Sequence, residues 1–319
     1  MPVTLAQARL NVTDDIQAGI IDEFAKSNFL LNNLTFDDCV SPVGGGGTLT
    51  YGYTRLVTQP VAEFRGINEE YGTHEVEKQR YTVDLKVFGG AYEVDRIIAD
   101  MGGIADEVAL QASQKVKAAS ALFNDTVING DSSKDTDAFD GLDVAITGTD
   151  TEYNKGSVID LSTSAAVTSN YMEFTDKLDE FLTLLDGTPS ALMGNTKMCA
   201  KLRAVARRAG MYQTTQNTWG QTVEYYGNIP FVDLGAKAGS NDPIVGIDGA
   251  AKTTSLYAVR FGLDGFHAIS LAGQAPIKTW LPDFSTAGAV KKGEVEMVAA
   301  VVLKATKAAA VFRDIKVSA

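Results

Sequence analysis

Between Tyr81 and Val87 apolar and polar residues alternate strictly: Tyr81, Val83, Leu85 and Val87 against Thr82, Asp84 and Lys86. That is the period of a strand with one apolar face. The run Thr48 to Phe64, rich in Tyr, Thr and Val, faces it across Gly66 to Gly72, where Asn68, Glu69 and Glu70 suit a tip. Residues 48–90 therefore predict one long hairpin. A two-stranded ribbon carries little core of its own, so this one must lie on another surface.

The period then lengthens. Ile104, Val108, Ala112, Val116, Ala119, Phe123 and Val127 run down one stripe, with Lys115, Lys117 and Asn124 off it. This predicts a helix over 103–129, about 40 Å long at 1.5 Å per residue. Gly130 stands at its C-terminal cap position and Asp131 to Asp140 reads as a polar loop. Phe174, Leu178, Phe181, Leu182 and Leu185 mark an amphipathic helix that ends at Asp186-Gly187. A short apolar strand, Ser190 to Met193, precedes a helix capped by Asn195 and running to Ala209, with Met198, Leu202, Val205 and Ala206 inward. Tyr212 to Gln221 reads as a polar loop. Ile229 to Val232, Ile244 to Ile247, Ser255 to Phe261, Phe266 to Leu271, Glu294 to Lys304 and Ala309 to Val317 read as strands. Gly262 to Gly265 is a turn signal between two of them. At the other end, Thr13, Asp14 and Asp15 cap a short helix carrying Ile16, Ile20 and Phe24, too short to persist unsupported. With the joint Gly44 to Gly47 behind it, residues 1–47 read as an arm. Helices mixed with largely antiparallel strands make the fold class α+β.

Composition narrows the function. The chain has 319 residues, 28 Lys plus Arg against 40 Asp plus Glu, and a formal net charge of -12. Hydrophobic residues at 45% and charged residues at 21% are those of a globular protein. A dominant grip on nucleic acid needs a clustered basic footprint, and the acidic balance argues against one. The opening Met1-Pro2-Val3-Thr4 lacks a basic segment followed by an apolar core. No stretch approaches the roughly 20 apolar residues that cross a bilayer, so a soluble protein with no membrane partner is expected. Cys39 and Cys199 have no metal-ligand spacing and read as buried free thiols, with one long-range disulfide as the alternative.

Candidate chemistry is sparse. Gly44 to Gly47 is followed by Thr48-Leu49-Thr50 and a strand, where a phosphate loop requires Lys-Ser/Thr and a helix, so it reads as a hinge. His74 sits among Thr73, Glu75 and Glu77 beside the hairpin tip, and His267 follows Phe266 in a strand as a partly buried histidine. No Gly-x-Ser-x-Gly elbow accompanies either, which leaves a His267 hydrolase as a remote third reading. Asp131, Asp135, Asp137 and Asp140 lack the EF-hand register and read as a solvated loop. No catalytic residue, cofactor site or metal site is assigned. One basic cluster exists: Lys197, Lys201, Arg203, Arg207 and Arg208, of which Lys197, Lys201 and Arg208 share a helical face. It reads as a solvated face, or more sharply as a contact with the acidic surface of a neighbouring copy.

The order of parts is arm, long hairpin, long helix ending at Asn129-Gly130-Asp131, Phe139-Asp140-Gly141-Leu142, then helix, the strand Ser190 to Asn195, and the helix from Lys197. Tyr226-Gly227-Asn228-Ile229-Pro230-Phe231-Val232 follows, with returning C-terminal strands. This resembles the major capsid protein of tailed bacteriophages, the Hong Kong 97-type fold, over nearly the whole chain. The resemblance implies an N-terminal arm over 1–47, an extended hairpin loop over 48–91 and a peripheral domain with a spine helix over 92–165. It further implies an axial domain over 166–284 and C-terminal strands over 285–319 that return to the peripheral domain. It implies a structural protein of the virion, not an enzyme, assembled in the host bacterial cytoplasm. Copies would form hexamers and pentamers and close an icosahedral shell around double-stranded DNA held without sequence specificity. Scaffolding, portal and decoration proteins are the expected partners, and with no scaffolding segment before the arm either a separate scaffolding protein assists or the chain is the processed form. Some relatives crosslink a hairpin lysine to a neighbour; Lys78 and Lys86 flank the return strand, but no motif identifies a partner and that chemistry is not carried over.

Subunit contacts are expected from Phe64, Arg65, Glu69, Glu70 and Tyr71 at the tip, from Ile16, Ile20 and Phe24 in the arm, and from Lys197, Lys201 and Arg208. Gly44 to Gly47 and Gly89-Gly90 are expected hinges that let one sequence adopt several angles. An encapsulin-like bacterial compartment shell around a cargo enzyme is the alternative function on the same fold.

Overall fold

The computed structural model describes residues 29–40, 48–58, 60–100, 107–216, 222–273 and 275–319. Ile16, Ile20, Phe24, the Gly44 to Gly47 joint and Ile104 lie outside them. In chain order the elements are α1 (Phe29–Asn33), β1 (Phe36–Val40), β2 (Thr50–Leu56), β3 (Lys78–Asp84), β4 (Lys86–Asp95), α2 (Arg96–Asp100) and α3 (Glu107–Asn129). Then come α4 (Leu142–Ile146), β5 (Glu152–Tyr153), β6 (Ile159–Asp160), α5 (Ser164–Thr183), β7 (Ala191–Gly194), α6 (Thr196–Ala209), β8 (Tyr212–Gln216) and β9 (Thr222–Tyr226). The chain continues through β10 (Ile229–Asp233), β11 (Thr253–Val259), β12 (Phe266–Leu271), β13 (Ile277–Trp280), β14 (Val290–Leu303) and β15 (Ala309–Lys316).

An eight-stranded sheet, ordered β5-β15-β11-β7-β10-β9-β8 with β6 also on β15, forms the middle layer. Its central strands are buried on both faces, so their apolar residues run unbroken instead of alternating. Leu192, Leu256, Ala258, Ala310 and Phe312 point into one core with Phe174, Leu178 and Phe181 of α5 and Met198, Leu202 and Val205 of α6. Ala191, Met193, Tyr257, Val259, Ala309 and Val311 point the other way. There they join Phe123, Val127 and Ile128 of α3 and the second sheet, β1-β12-β14-β13 with β4 on β14. The third sheet is the two-stranded ribbon of β2 and β3.

Several expectations meet a different structure, each for a local reason. Residues 29–40 are body, not arm: Leu30, Leu34 and Val40 are buried and β1 pairs in parallel with β12. The apolar face of the return strand breaks at Leu85, which is buried, and Val87 emerges on the exposed side as β4 leaves the ribbon to pair with β14. Gly89-Gly90 is no hinge. It lies inside that ladder, opposite Glu296 and Val295, and a Cβ on Gly89 would stand 2.0 Å from the Val295 carbonyl oxygen. Asn124, expected off the helix stripe, is buried. Gly130 answers to crowding instead of a left-handed turn, since a Cβ there would meet the Phe139 oxygen at 2.2 Å.

Ile244 to Ile247 is loop, not strand, with Ile244 and Val245 buried. Its carbonyls are taken by side chains: Asn129 Nδ2 donates to Ile244 O at 2.8 Å, Asn195 Nδ2 to Val245 O at 2.9 Å, and Thr254 Oγ1 to Gly246 O at 2.8 Å. Tyr212 to Gln216, expected as loop, is a strand laddered to β9. The turn Gly262 to Gly265 closes no hairpin, because β11 and β12 belong to different sheets. The C-terminal strands also part company. β14 runs through the long-helix sheet, whereas β15 pairs with β11 in the eight-stranded sheet, so residues 285–319 do not return together to one layer.

Candidate assembly surfaces

The ribbon is anchored at its base. β2 and β3 pair antiparallel from Thr50↔Asp84 to Leu56↔Lys78, and Tyr51, Tyr53 and Val83 turn toward the core. Arg55 reaches the crossing between β14 and β15: Nε donates to Lys304 O at 2.9 Å, Nη2 to Leu303 O at 2.8 Å and Nη1 to Thr306 Oγ1 at 3.1 Å. Tyr53 donates its hydroxyl to Leu303 O at 3.2 Å, and burial raises its pKa above the usual phenol value. The Arg55 guanidinium also lies 4.6 Å from the centre of the Tyr81 ring.

Beyond Leu56 the body falls away. Val57 N donates to Glu77 O and Glu77 N to Thr58 Oγ1, both at 2.9 Å, and these extend the pairing of the two sides past the strands. The tip is then closed by its own bonds. Gly66 N donates to Glu69 Oε2 at 3.1 Å, Arg65 Nη1 to Glu69 O at 3.1 Å, and Gly72 N to Glu63 Oε1. Arg65 lies 5.2 Å from the centre of the Tyr71 ring, and Asn68 supplies the left-handed φ of 71° that the turn needs. Phe64, Arg65, Glu69, Glu70 and Tyr71 are thus brought together on one exposed end. Phe64 is fully exposed and Ile67 93% exposed; Val57, Val61, Tyr71 and Val76 are also wet. Each large side chain left in water forgoes about 1.5–3 kcal/mol available on burial.

The basic face is used differently from the tip. Lys201 Nζ donates to Ser162 O at 2.6 Å, and burial lowers its pKa from the usual lysine value. Arg208 donates to Ser164 Oγ at 3.0 Å and Thr168 Oγ1 at 3.1 Å. Both fasten the start of α5 to α6 within the subunit. Lys197 stands apart, exposed on the rim of a cavity of about 790 Å³ with Asp233, Lys237 and Asp242. Periodicity missed two other exposed apolar pairs: Ile97 and Ile98 on α2, and Trp280 with Leu281 at the end of β13.

The histidines, the free thiol and the acidic loop lie buried in the body or open to water. His74 lies 3.9 Å from Glu63 with both side chains open to water. His267 is fully rather than partly buried, and it packs edge-on to Tyr51 with ring centres 6.2 Å apart. Cys199 is a free, buried thiol whose pKa burial pushes up to about 12; the Cys39 side chain lies outside the described structure. In the 131–140 loop Asp131 accepts from Ser133 and pairs with Lys134 at 2.8 Å, which with those bonds holds its pKa down to about 2. Among the described residues no group of acids, histidines and cysteines has the arrangement of a metal site, and no helix is long and apolar enough to cross a membrane.

No protein-family model and no curated protein matches the sequence. Solved structures do. The SrpI encapsulin complex of Synechococcus elongatus matches with a TM-score of 0.68 and 13% identity, over 100% of this chain and 98% of that one. A chain of Microbacterium phage Oxtober96 matches at 0.64 and 13% over 98% and 99%, and the capsid of Myoviridae phage XM1 at 0.58 and 11% over 98% and 99%. The first of these is an encapsulin and the last a phage capsid. Identity this low carries architecture and not activity, and the architecture agrees from end to end: the chain has the Hong Kong 97-type fold shared by phage capsid proteins and encapsulins.

Proposed function

We propose that this chain is the major capsid protein of a tailed bacteriophage. Copies associate as hexamers and pentamers and close an icosahedral shell around double-stranded DNA, with scaffolding, portal and decoration proteins as partners in the host cytoplasm. The observation that carries the reading is the loop 57–77, which holds six large apolar side chains in water on the end of a ribbon. A subunit that worked alone would gain by shedding them. One that assembles buries them on a neighbour at about 25 cal/mol per Å², and many weak repeats add up around a closed ring. A net charge of -12 suits a container that encloses nucleic acid without gripping it. The tip residues Phe64, Arg65, Glu69, Glu70 and Tyr71 are the first-choice contacts; Ile16, Ile20 and Phe24 remain proposed contacts of the arm, with Lys197 as a lesser one.

The likeness to an encapsulin along the full chain supports a second reading, a compartment shell around a cargo enzyme. The contents separate the two: shells rich in protected double-stranded DNA fit the first, shells holding a single co-purifying enzyme the second. The shell reading itself is tested by deleting Arg65 to Tyr71. Electron microscopy is expected to find shells from the full chain and soluble, folded, unassembled subunits from the deletion. Normal shells from the deletion would reject it.

A further inference from the structure

His267 lies on β12 beneath the ribbon base, fully buried, and neither ring nitrogen has a hydrogen-bond partner among the described residues. Charged and titratable groups face it from every side. Asp37 of β1 stands with Oδ2 3.9 Å from Nε2 and also accepts the Tyr51 hydroxyl of β2 at 3.3 Å. Lys304, after β14, places its ammonium 5.5 Å from the centre of the Tyr51 ring and offers its carbonyl to Arg55. Asp264 lies in the turn before β12 and pairs with Arg260 at 2.7 Å. The attachments that seat the ribbon, Tyr51 on Asp37 and Arg55 on Lys304, thus surround one imidazole.

We infer that His267 is an acid-sensitive latch for the ribbon: its protonation draws the Asp37 carboxylate off the Tyr51 hydroxyl, repels Lys304, and frees β2 and β3 from the body. A neutral ring without hydrogen bonds behaves there as an apolar filler, but an imidazolium is a buried charge that needs an anion in contact. Asp37 Oδ2, 3.9 Å from Nε2, is the oxygen placed to supply it, and it is the same oxygen that holds Tyr51. Burial, and after it the Lys304 ammonium, hold the His267 pKa down to about 4 against a usual 6.5. A lowered folded-state value for a base means that the seat is intact above the usual value and weakens as pH falls from about 6.5 toward 4. The inference concerns the ribbon on its own subunit and stands whether or not shells form.

Hydrogen exchange on the unassembled full chain, corrected for intrinsic rates, tests it at pH 7.5 and pH 4.5. Amides of residues 50–56 and 78–84 are expected to open roughly ten- to a hundredfold more at the lower pH. In His267→Phe that pH dependence should vanish. The same acid loosening in His267→Phe, or ribbon amides exchanging at the rate of β7 amides, would overturn the latch. Should the variant not fold, nuclear magnetic resonance of the wild-type ring decides: titration below pH 5 supports the proposal and titration at 6.5 or above refutes it.

Discussion

Two of the antiparallel hairpins differ in what backs them. β8 and β9 pair over Tyr212↔Tyr226 to Gln216↔Thr222 and continue through β10 into the eight-stranded sheet. Their side chains lock onto α6: Glu224 takes Arg203 in a two-pronged pair, with Nη2 to Oε2 at 2.7 Å, and accepts the Tyr212 hydroxyl at 2.9 Å. β2 and β3 pair over more residues yet belong to a sheet of their own, held by Arg55 and two tyrosines along one face of β2. A longer ladder therefore does not make a hairpin more self-sufficient. Membership of a larger sheet and a fixed ion pair do, and the strip lacking both is the one with wet apolar groups at its tip.

The comparison breaks most severely at the core behind the sheet that holds β8 and β9. Phe312 of β15 stacks with Phe174 at 5.6 Å, meets Phe181 at 5.6 Å and takes the edge of Tyr153 at 5.2 Å. Phe312→Ala should lower the unfolding free energy by about 3–5 kcal/mol in denaturant titrations. A loss below about 1 kcal/mol would mean that the sheet backing β8 and β9 does not rest on this cluster.

A smaller effect sharpens the contrast. Arg203→Ala leaves the Glu224 carboxylate without its cation and should cost about 1 kcal/mol at neutral pH. The hydrogen bonds and charge of Arg203 hold the Glu224 pKa below its usual 4.5. A depressed carboxylate stabilises above its unfolded value and loses that contribution as pH falls through the folded one. The variant should match wild type once pH drops below that lowered value; a deficit that persists there would remove the ion pair as the cause.

The smallest global change is expected at the other hairpin. Arg55→Ala removes three bonds at the ribbon's base and should cost at most about 1 kcal/mol overall, read as about fivefold faster exchange across residues 50–56. No acceleration there would show that the tyrosines alone hold the strip.

Much of this architecture was legible in the chain because local chemistry and tertiary context agree. α6 is the clear case: Asn195 accepts from Met198 N, Gly210 takes φ 70°, and Met198, Leu202, Val205 and Ala206 are all buried as their spacing demands. The errors fall where something distant decides. Tyr-Gln-Thr-Thr-Gln at 212–216 has no apolar face and becomes a strand through its partner. Ile244 to Ile247 has the composition of a strand, but three side chains claim its carbonyls first. The Lys201 and Arg208 face looked free because the helix it clamps is some forty residues away in sequence. The tip was readable because, among the described residues, its hydrogen bonds are all local. Turn chemistry and exposure there are local properties.

The crossing at residues 303–306, where Arg55 and Tyr53 are moored, is also where the chain steps from one sheet to the other. The strand β2 ends one residue beyond Arg55, so a grip on the tip of the loop works through a lever arm with its fulcrum at that step. A modest sideways push from outside arrives there as torque on the joint between the two sheets, and the angle between them becomes something a neighbour can set.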